Sequence, residues 1–202
     1  AGWSYAAIWL NGTTNAEVHH NHIHHTQRQG LGYGIILPRS NGDPVTVVVE
    51  GNRFDYNRHV IAGSGEPGQD YIARHNLVLE HAIGHVFDMH GENENTDNGS
   101  EWAGGDMEIY GNTVLPSDHK ALVVRGRPQH GCWFYDNCLA RLPGLFAYQQ
   151  KFFSGNLYVG EDRAGQDRPN RYNRDADDCE TKRWCTSSRG QGPWVLNVAS
   201  SF

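Results

Sequence analysis

Six short segments share one arrangement of apolar and polar positions: EVHHNHI, VVEGNRF, IARHNLV, EIYGNTV, WFYDNCL and FFSGNLY, registered on Asn21, Asn52, Asn76, Asn112, Asn137 and Asn156. Two places after the asparagine stand Ile23, Phe54, Val78, Val114, Leu139 and Tyr158. Three places before it stand Val18, Val49, Ala73, Ile109, Phe134 and Phe153. A period of two on either side of a fixed polar residue predicts two short strands, each burying one face, that meet at an asparagine corner. The corners are 31, 24, 36, 25 and 19 residues apart, so the unit recurs without a fixed length. Between them a third apolar run returns as AAIWL, GIIL, HVIA, HVFDM, ALVV and LFAY.

Three strands per turn of chain, repeated about six times, predict an all-β solenoid whose coils stack at roughly 4.8 Å. Every strand then pairs with its counterparts above and below, and the corner asparagines form a hydrogen-bonded ladder. An antiparallel sandwich would have to account for six asparagines in one register. The stretches 38–44, 63–69 and 90–104 fall at corresponding places in successive coils, where loops would build one wall of a surface. Residues 161–202 break the pattern and are expected to form an irregular, loop-rich cap packed on the helix of residues 1–160, since an open end is a strand edge that must be covered.

Composition agrees with β structure. Of 202 residues, 24 are Gly and 15 are Trp or Tyr. The net charge of −6 comes without a dense basic patch, which argues against nucleic acid as a partner. Protonating all twelve histidines would turn −6 into +6. No apolar run reaches the length of about 18 residues that a membrane span needs. Cys132, Cys138, Cys179 and Cys185 lack the spacing of a zinc site and are expected to form two disulfides, as in an exported protein. The sequons at Asn11 and Asn98 also fit secretion, as does an opening that reads as the middle of a fold.

The asparagine corner with its apolar triplets resembles the right-handed parallel β-helix, or pectin-lyase-like, superfamily over about residues 5–160. RHVIAGSGEPGQDYIARHN and FDMHG are similar to stretches of secreted β-helix repeat proteins. The resemblance implies an extracellular, carbohydrate-active protein. Members of the superfamily cleave acidic polysaccharides by β-elimination with a basic residue, often with calcium, or by hydrolysis with aspartates. Here NTD occurs only at 95–97, in an insertion, and the GHG, RIK and WIDH elements are missing. No catalytic residue is therefore carried over.

Candidate chemistry comes instead from the register. The column two places before the asparagine reads His19, Glu50, Arg74, Tyr110, Tyr135, and the column six before reads Asn15, Thr46, Asp70, Asp106. Glu50 and Arg74 should touch, and such a flat face suits a sugar. In the third strand, His59 and His85 are equivalent, while Asp88 falls where other coils carry Leu10, Leu37, Ala62, Val124 and Tyr148. An acid among apolar residues needs a partner, and an imidazole there would make a proton-transfer pair. The catalytic candidates are His59, His85, Asp88, Arg74 and Asp70, and the substrate-binding candidates are Glu50, Tyr110, Tyr135, His90 and Arg125. The structural alternative is a bulge that turns Asp88 out to the following loop.

The run HHNHIHHT is one corner of the repeat. His22 and His24 project from the same strand with Asp55 one coil above, a candidate transition-metal site, and His25 stacks on Tyr56. Asp175, Asp177, Asp178 and Glu180 are calcium candidates. The functional expectations are thus a secreted lyase or hydrolase on an acidic polysaccharide, a non-catalytic glycan-binding, adhesive or fibre-forming protein that self-associates through its β-helix ends, and a histidine-rich metal binder.

Overall fold

The computed structural model describes residues 5–12, 15–92, 102–115, 120–140 and 157–173. The chain passes through β1 (Ala6–Trp9), β2 (Asn15–His19) and β3 (His22–His24), then β4 (Tyr33–Ile36), β5 (Val45–Glu50) and β6 (Arg53–Asp55). It repeats the triplet as β7 (His59–Gly63), β8 (Gln69–Arg74) and β9 (Leu77–Val78), as β10 (His85–Met89), β11 (Asp106–Tyr110) and β12 (Thr113–Val114), and as β13 (Lys120–Val124), β14 (Gly131–Tyr135) and β15 (Cys138–Ala140). β16 (Leu157–Val159) and β17 (Arg171–Asn173) follow. Strands of the same rank pair in parallel, which makes three sheets, β1-β4-β7-β10-β13, β16-β14-β11-β8-β5-β2 and β17-β15-β12-β9-β6-β3. This is the arrangement of a parallel β-solenoid. No helix among the described residues is long and apolar enough to cross a membrane.

The interior is made by the columns that flank the asparagine. Val18, Val49, Ala73, Ile109 and Phe134 lie in register along the second sheet and are all buried. Ile23, Phe54, Val78, Val114 and Leu139 do the same along the third. Strict alternation within these strands turns the intervening residues outward, as the burial of every second residue in β5 and β8 records.

Polar groups at the corner are satisfied by the ladder. Each asparagine's backbone N–H donates to the side-chain oxygen of the next, at 3.0 Å for all five links from Asn21 to Asn170. From Asn52 to Asn137 the side-chain Nδ2 donates to the same oxygen and to a carbonyl of the preceding coil, as Asn112 does to Asn137 Oδ1 and Ala73 O, both at 2.9 Å. The carboxamide supplies an acceptor oxygen and two N–H donors from one side chain, whereas an ionised aspartate could only accept. The residue before each of the first five asparagines is left-handed: His20 (φ 55°), Gly51 (61°), His75 (54°), Gly111 (63°) and Asp136 (51°).

Three expectations are corrected. The last asparagine of the ladder is Asn170, not Asn156. Leu157–Val159 pairs with Cys132–Phe134 ahead of the corner, and ten residues separate Val159 from Asn170 where two separate Phe134 from Asn137, an insertion of eight. Asp88 is level with Ile36 and Val123, with Ala62 as expected, whereas Leu37 and Val124 stand level with Met89 in the core; the strand begins one residue earlier than its apolar run. Cys132 is a free, buried thiol, so the four cysteines do not form two disulfides; it lies level with Met107 on the inner face of the second sheet. Tyr148, LFAY, Phe153, Asn98, the NTD stretch, Cys179, Cys185 and the acidic residues 175–180 lie outside the described residues.

Two outcomes test the ladder. Replacing Asn112 by Ala takes the acceptor from the Asn76 backbone N–H and one bond each from Asn76 Nδ2 and the Ala73 carbonyl in a buried site, and should cost about 2 to 4 kcal/mol in urea unfolding. Asn21→Ala, at the exposed end of the ladder, should cost about 1 kcal/mol or less. Burial pushes the His75 imidazole below its ordinary 6.5. The folded chain therefore resists a proton that the unfolded chain accepts, so this contribution is present above pH 6.5 and is lost as pH falls through the lower folded value. His75→Asn keeps a residue that tolerates the left-handed turn and should flatten the fall in melting temperature on acidification; an unchanged slope would count against it.

Candidate functional site

Asp88 is fully buried on β10 and collects four cationic or imidazole groups. Val86 and Phe87 both join the hydrophobic core, so strict alternation is interrupted and His85 and Asp88 emerge on the same side, Nδ1 of His85 lying 3.5 Å from Asp88 Oδ1. His59 reaches in from the adjacent strand β7, where it is level with His85, over the small Ala62 that lies level with Asp88. Its Nδ1 is 2.7 Å from Oδ2, although no well-aligned hydrogen bond forms there. His90, two residues beyond Asp88, brings Nε2 to 3.2 Å from Oδ2. From the coil beyond, Arg125 extends β13, its backbone N–H on Met89 O, and spans both carboxylate oxygens with Nη2 at 2.9 and 3.0 Å.

Arg125 can only donate, and this decides the proton positions on two rings. Its Nη1 is 2.6 Å from His90 Nδ1, so that nitrogen accepts and Nε2 carries the hydrogen towards Asp88. Its Nη2 is 3.1 Å from His85 Nδ1, so His85 is likewise protonated at Nε2, which none of these bonds occupies. Burial alone would raise the Asp88 carboxyl, but the contacts from His59, His85 and His90 outweigh it and hold the group well below the usual carboxylate range. Burial lowers His59, against the pull of Asp88. The group is thus an ionised carboxylate clamped by a guanidinium and ringed by three imidazoles, with His85 and His90 each a quarter exposed.

Beyond His85, the same column continues to Lys120 on β13, and before His59 it begins with Tyr33 on β4, whose ring meets His59 edge-on at 5.2 Å. Neither residue is singled out by the sequence. Lys120 precedes the apolar run ALVV and is legible only once the strand is known to start there.

The other candidates occupy other sheets. Arg74 and Asp70 lie on β8, away from the Asp88 group: Arg74 pairs with Glu50 at 2.7 Å and donates to Tyr110 at 3.1 Å, and Asp70 accepts from the Asp106 backbone at 2.7 Å. Burial raises Asp70 and the backbone bond opposes it. Tyr110 stacks flat on Tyr135 at 5.1 Å, and Tyr135 donates to Glu108. Trp133 stacks on Tyr158 and carries Arg163 over its ring. On the third sheet, His24 is level with Asp55, and the rings of His22 and His24 are 4.5 Å apart. Asp55 is held by His81 at 3.0 Å, a partner the sequence does not reveal, and a His25–Tyr56–His81 stack runs beside it. Among the described residues, His59, Asp88 and His90 are the group whose ligand atoms converge within 4.8 Å.

Comparison with protein-family models, with curated proteins and with solved structures returns no match.

Breaking the clamp gives a direct check. Asp88→Asn leaves Arg125 buried without its anion and should cost about 3 to 5 kcal/mol in urea unfolding. Adding Arg125→Gln should restore at least about 1 kcal/mol relative to the sum of the single variants; strict additivity would show that the two groups do not interact.

Proposed function

We propose that the chain is an extracellular protein of the parallel β-helix, pectin-lyase-like kind that acts on an acidic polysaccharide, with the outer face of the β1-β4-β7-β10-β13 sheet as its centre. The observation that carries this reading is the column Tyr33, His59, His85, Lys120 beside a fully buried, ionised Asp88. Groups with strongly shifted protonation, held rigid against a partly exposed histidine, are what acid–base chemistry needs.

In a β-elimination, neutralising a sugar carboxylate makes the adjacent C–H acidic. The Nε2–H of His85 and the ammonium of Lys120, neighbours in adjacent coils about 4.8 Å apart, fit that carboxylate and the charge that builds on it. As the C–H proton is removed, the C–O bond to the neighbouring sugar breaks to leave a double bond, and the departing oxygen takes up a proton; Tyr33, the hydroxyl-bearing member of the column, is the group offered for these transfers. Asp88 and Arg125 do not touch substrate in this scheme; they fix the tautomer and direction of His85. The ridge of Arg74, Tyr110, Tyr135, Trp133 and Arg163 on the second sheet offers cations and aromatic rings to further sugars.

A second reading, glycan binding without cleavage, is favoured by one observation: the Asp88 carboxylate is fully sequestered and satisfied by Arg125, so it cannot itself serve as nucleophile or base. Assay of the secreted chain on uronate-containing polymers, following unsaturated products, separates the two. His85→Gln and Lys120→Gln should each lower the elimination rate on the order of a hundredfold with the fold intact. Retention of full cleavage in both variants would remove this site from the reaction, and binding with no cleavage by the wild type would leave the second reading.

A further inference from the structure

We propose that His59, Asp88 and His90 form a binding site for a divalent transition-metal ion, in which Arg125 is the cation that holds the place when metal is absent. The site stands on ligand geometry and is separate from the polysaccharide reading.

Two imidazole nitrogens and a carboxylate oxygen are a common donor set for first-row transition metals, and for zinc in particular. Tetrahedral ligands with bonds of about 2.1 Å lie about 3.4 Å from one another. His90 Nε2 and Asp88 Oδ2 are already 3.2 Å apart, and His59 Nδ1 is 2.7 Å from the same oxygen, so a small opening of the second pair admits an ion. All three ligand atoms lie within 4.8 Å of one another. They belong to adjacent coils of one sheet, where paired backbones hold them in place.

A second observation points the same way. The His59 side chain is 97% buried, and its Nδ1 faces Asp88 without an aligned hydrogen bond. At 2.7 Å from a carboxylate oxygen that nitrogen carries the ring's hydrogen in a poorly aligned contact, and an ion taking the hydrogen's place would bond both atoms at once and release the proton. Arg125 explains how the carboxylate remains ionised without one: its guanidinium covers both oxygens and accounts for the compensating charge. The same guanidinium opposes the metal, because Nη1 is donated to His90 Nδ1, which must carry the hydrogen once Nε2 binds an ion. Metal entry therefore requires Arg125 to release His90 and retreat to Asp88 Oδ1. The exposed row of His22, His24 and Asp55 lacks this convergence, and its carboxylate is engaged by His81.

The test uses the chain purified without a metal-affinity step, stripped with chelator, and titrated with Zn²⁺ and with Co²⁺ by calorimetry and visible absorption. One ion per chain is expected, with the absorption of four-coordinate cobalt and a higher melting temperature on Zn²⁺ addition. His59→Gln and His90→Gln should each weaken binding on the order of tenfold or more, while a His22→Gln/His24→Gln double variant binds as the wild type does. Arg125→Gln should bind more tightly, and its lost stability should return when Zn²⁺ is added. Absence of saturable binding in both the wild type and Arg125→Gln would overturn the site, as would binding that survives His59→Gln and His90→Gln but disappears in the His22/His24 double variant. Circular dichroism of each variant separates lost ligands from lost fold, and no readout depends on polysaccharide cleavage.

Discussion

Each corner asparagine from Asn52 to Asn137 donates twice to the side chain of the next coil and returns a bond to the carbonyl three places before the preceding corner, as Asn112 does to Asn137 and to Ala73. These bonds set more than stability. They fix which residue of one coil sits over which residue of another, although the coils differ in length by more than ten residues. A slip of one residue in a strand would send its inner face outward, and the buried ladder opposes it because every misaligned carboxamide would lose partners away from water. All side-chain columns on the outside of the molecule inherit their alignment from this inner constraint.

The Asp88 group shows what such alignment permits. A fully buried carboxylate is costly unless paired, and His59 comes from one neighbouring coil and Arg125 from the other. Neither is near Asp88 in the sequence. Because Arg125 donates to two imidazoles as well as to the carboxylate, it sets the orientation and tautomer of the rings that face outward. Rigidity and the proposed chemistry thus share residues: the elimination scheme draws on His85, and the proposed metal site on His59 and His90.

The other two outer faces use the same register for different ends. On the second sheet, alternating charge and aromatic rings form ladders: Glu50 with Arg74, Tyr110 on Tyr135, Arg163 on Trp133. On the third, the opening histidines stack and bond with one another, His24 Nδ1 lying 2.6 Å from His25 Nδ1, while Asp55 is held by His81 of a later coil. Local density of histidine in the chain is therefore a poor guide to where ligand atoms converge. Two neighbours on one strand diverge or lie side by side, whereas residues of adjacent strands and a following loop can point at one place.

Periodicity by itself determined the all-β class, the three strands per coil and the asparagine corner, because alternation around Asn21, Asn52, Asn76, Asn112 and Asn137 reports a buried face directly. It also placed His59 level with His85 and Glu50 level with Arg74, since parallel pairing preserves register from coil to coil. Tertiary structure decided the rest. The eight extra residues between Val159 and Asn170 moved the last corner away from Asn156, a shift invisible to a pattern that counts outward from the asparagine. The paired core residues Val86 and Phe87 broke the alternation and turned Asp88 towards His85, and only the stack brought Arg125 and Lys120 to that face. A linear pattern encodes which side of a strand a residue takes; which partners it meets there depends on distances between coils and on side-chain reach, and these exist only once the chain has folded.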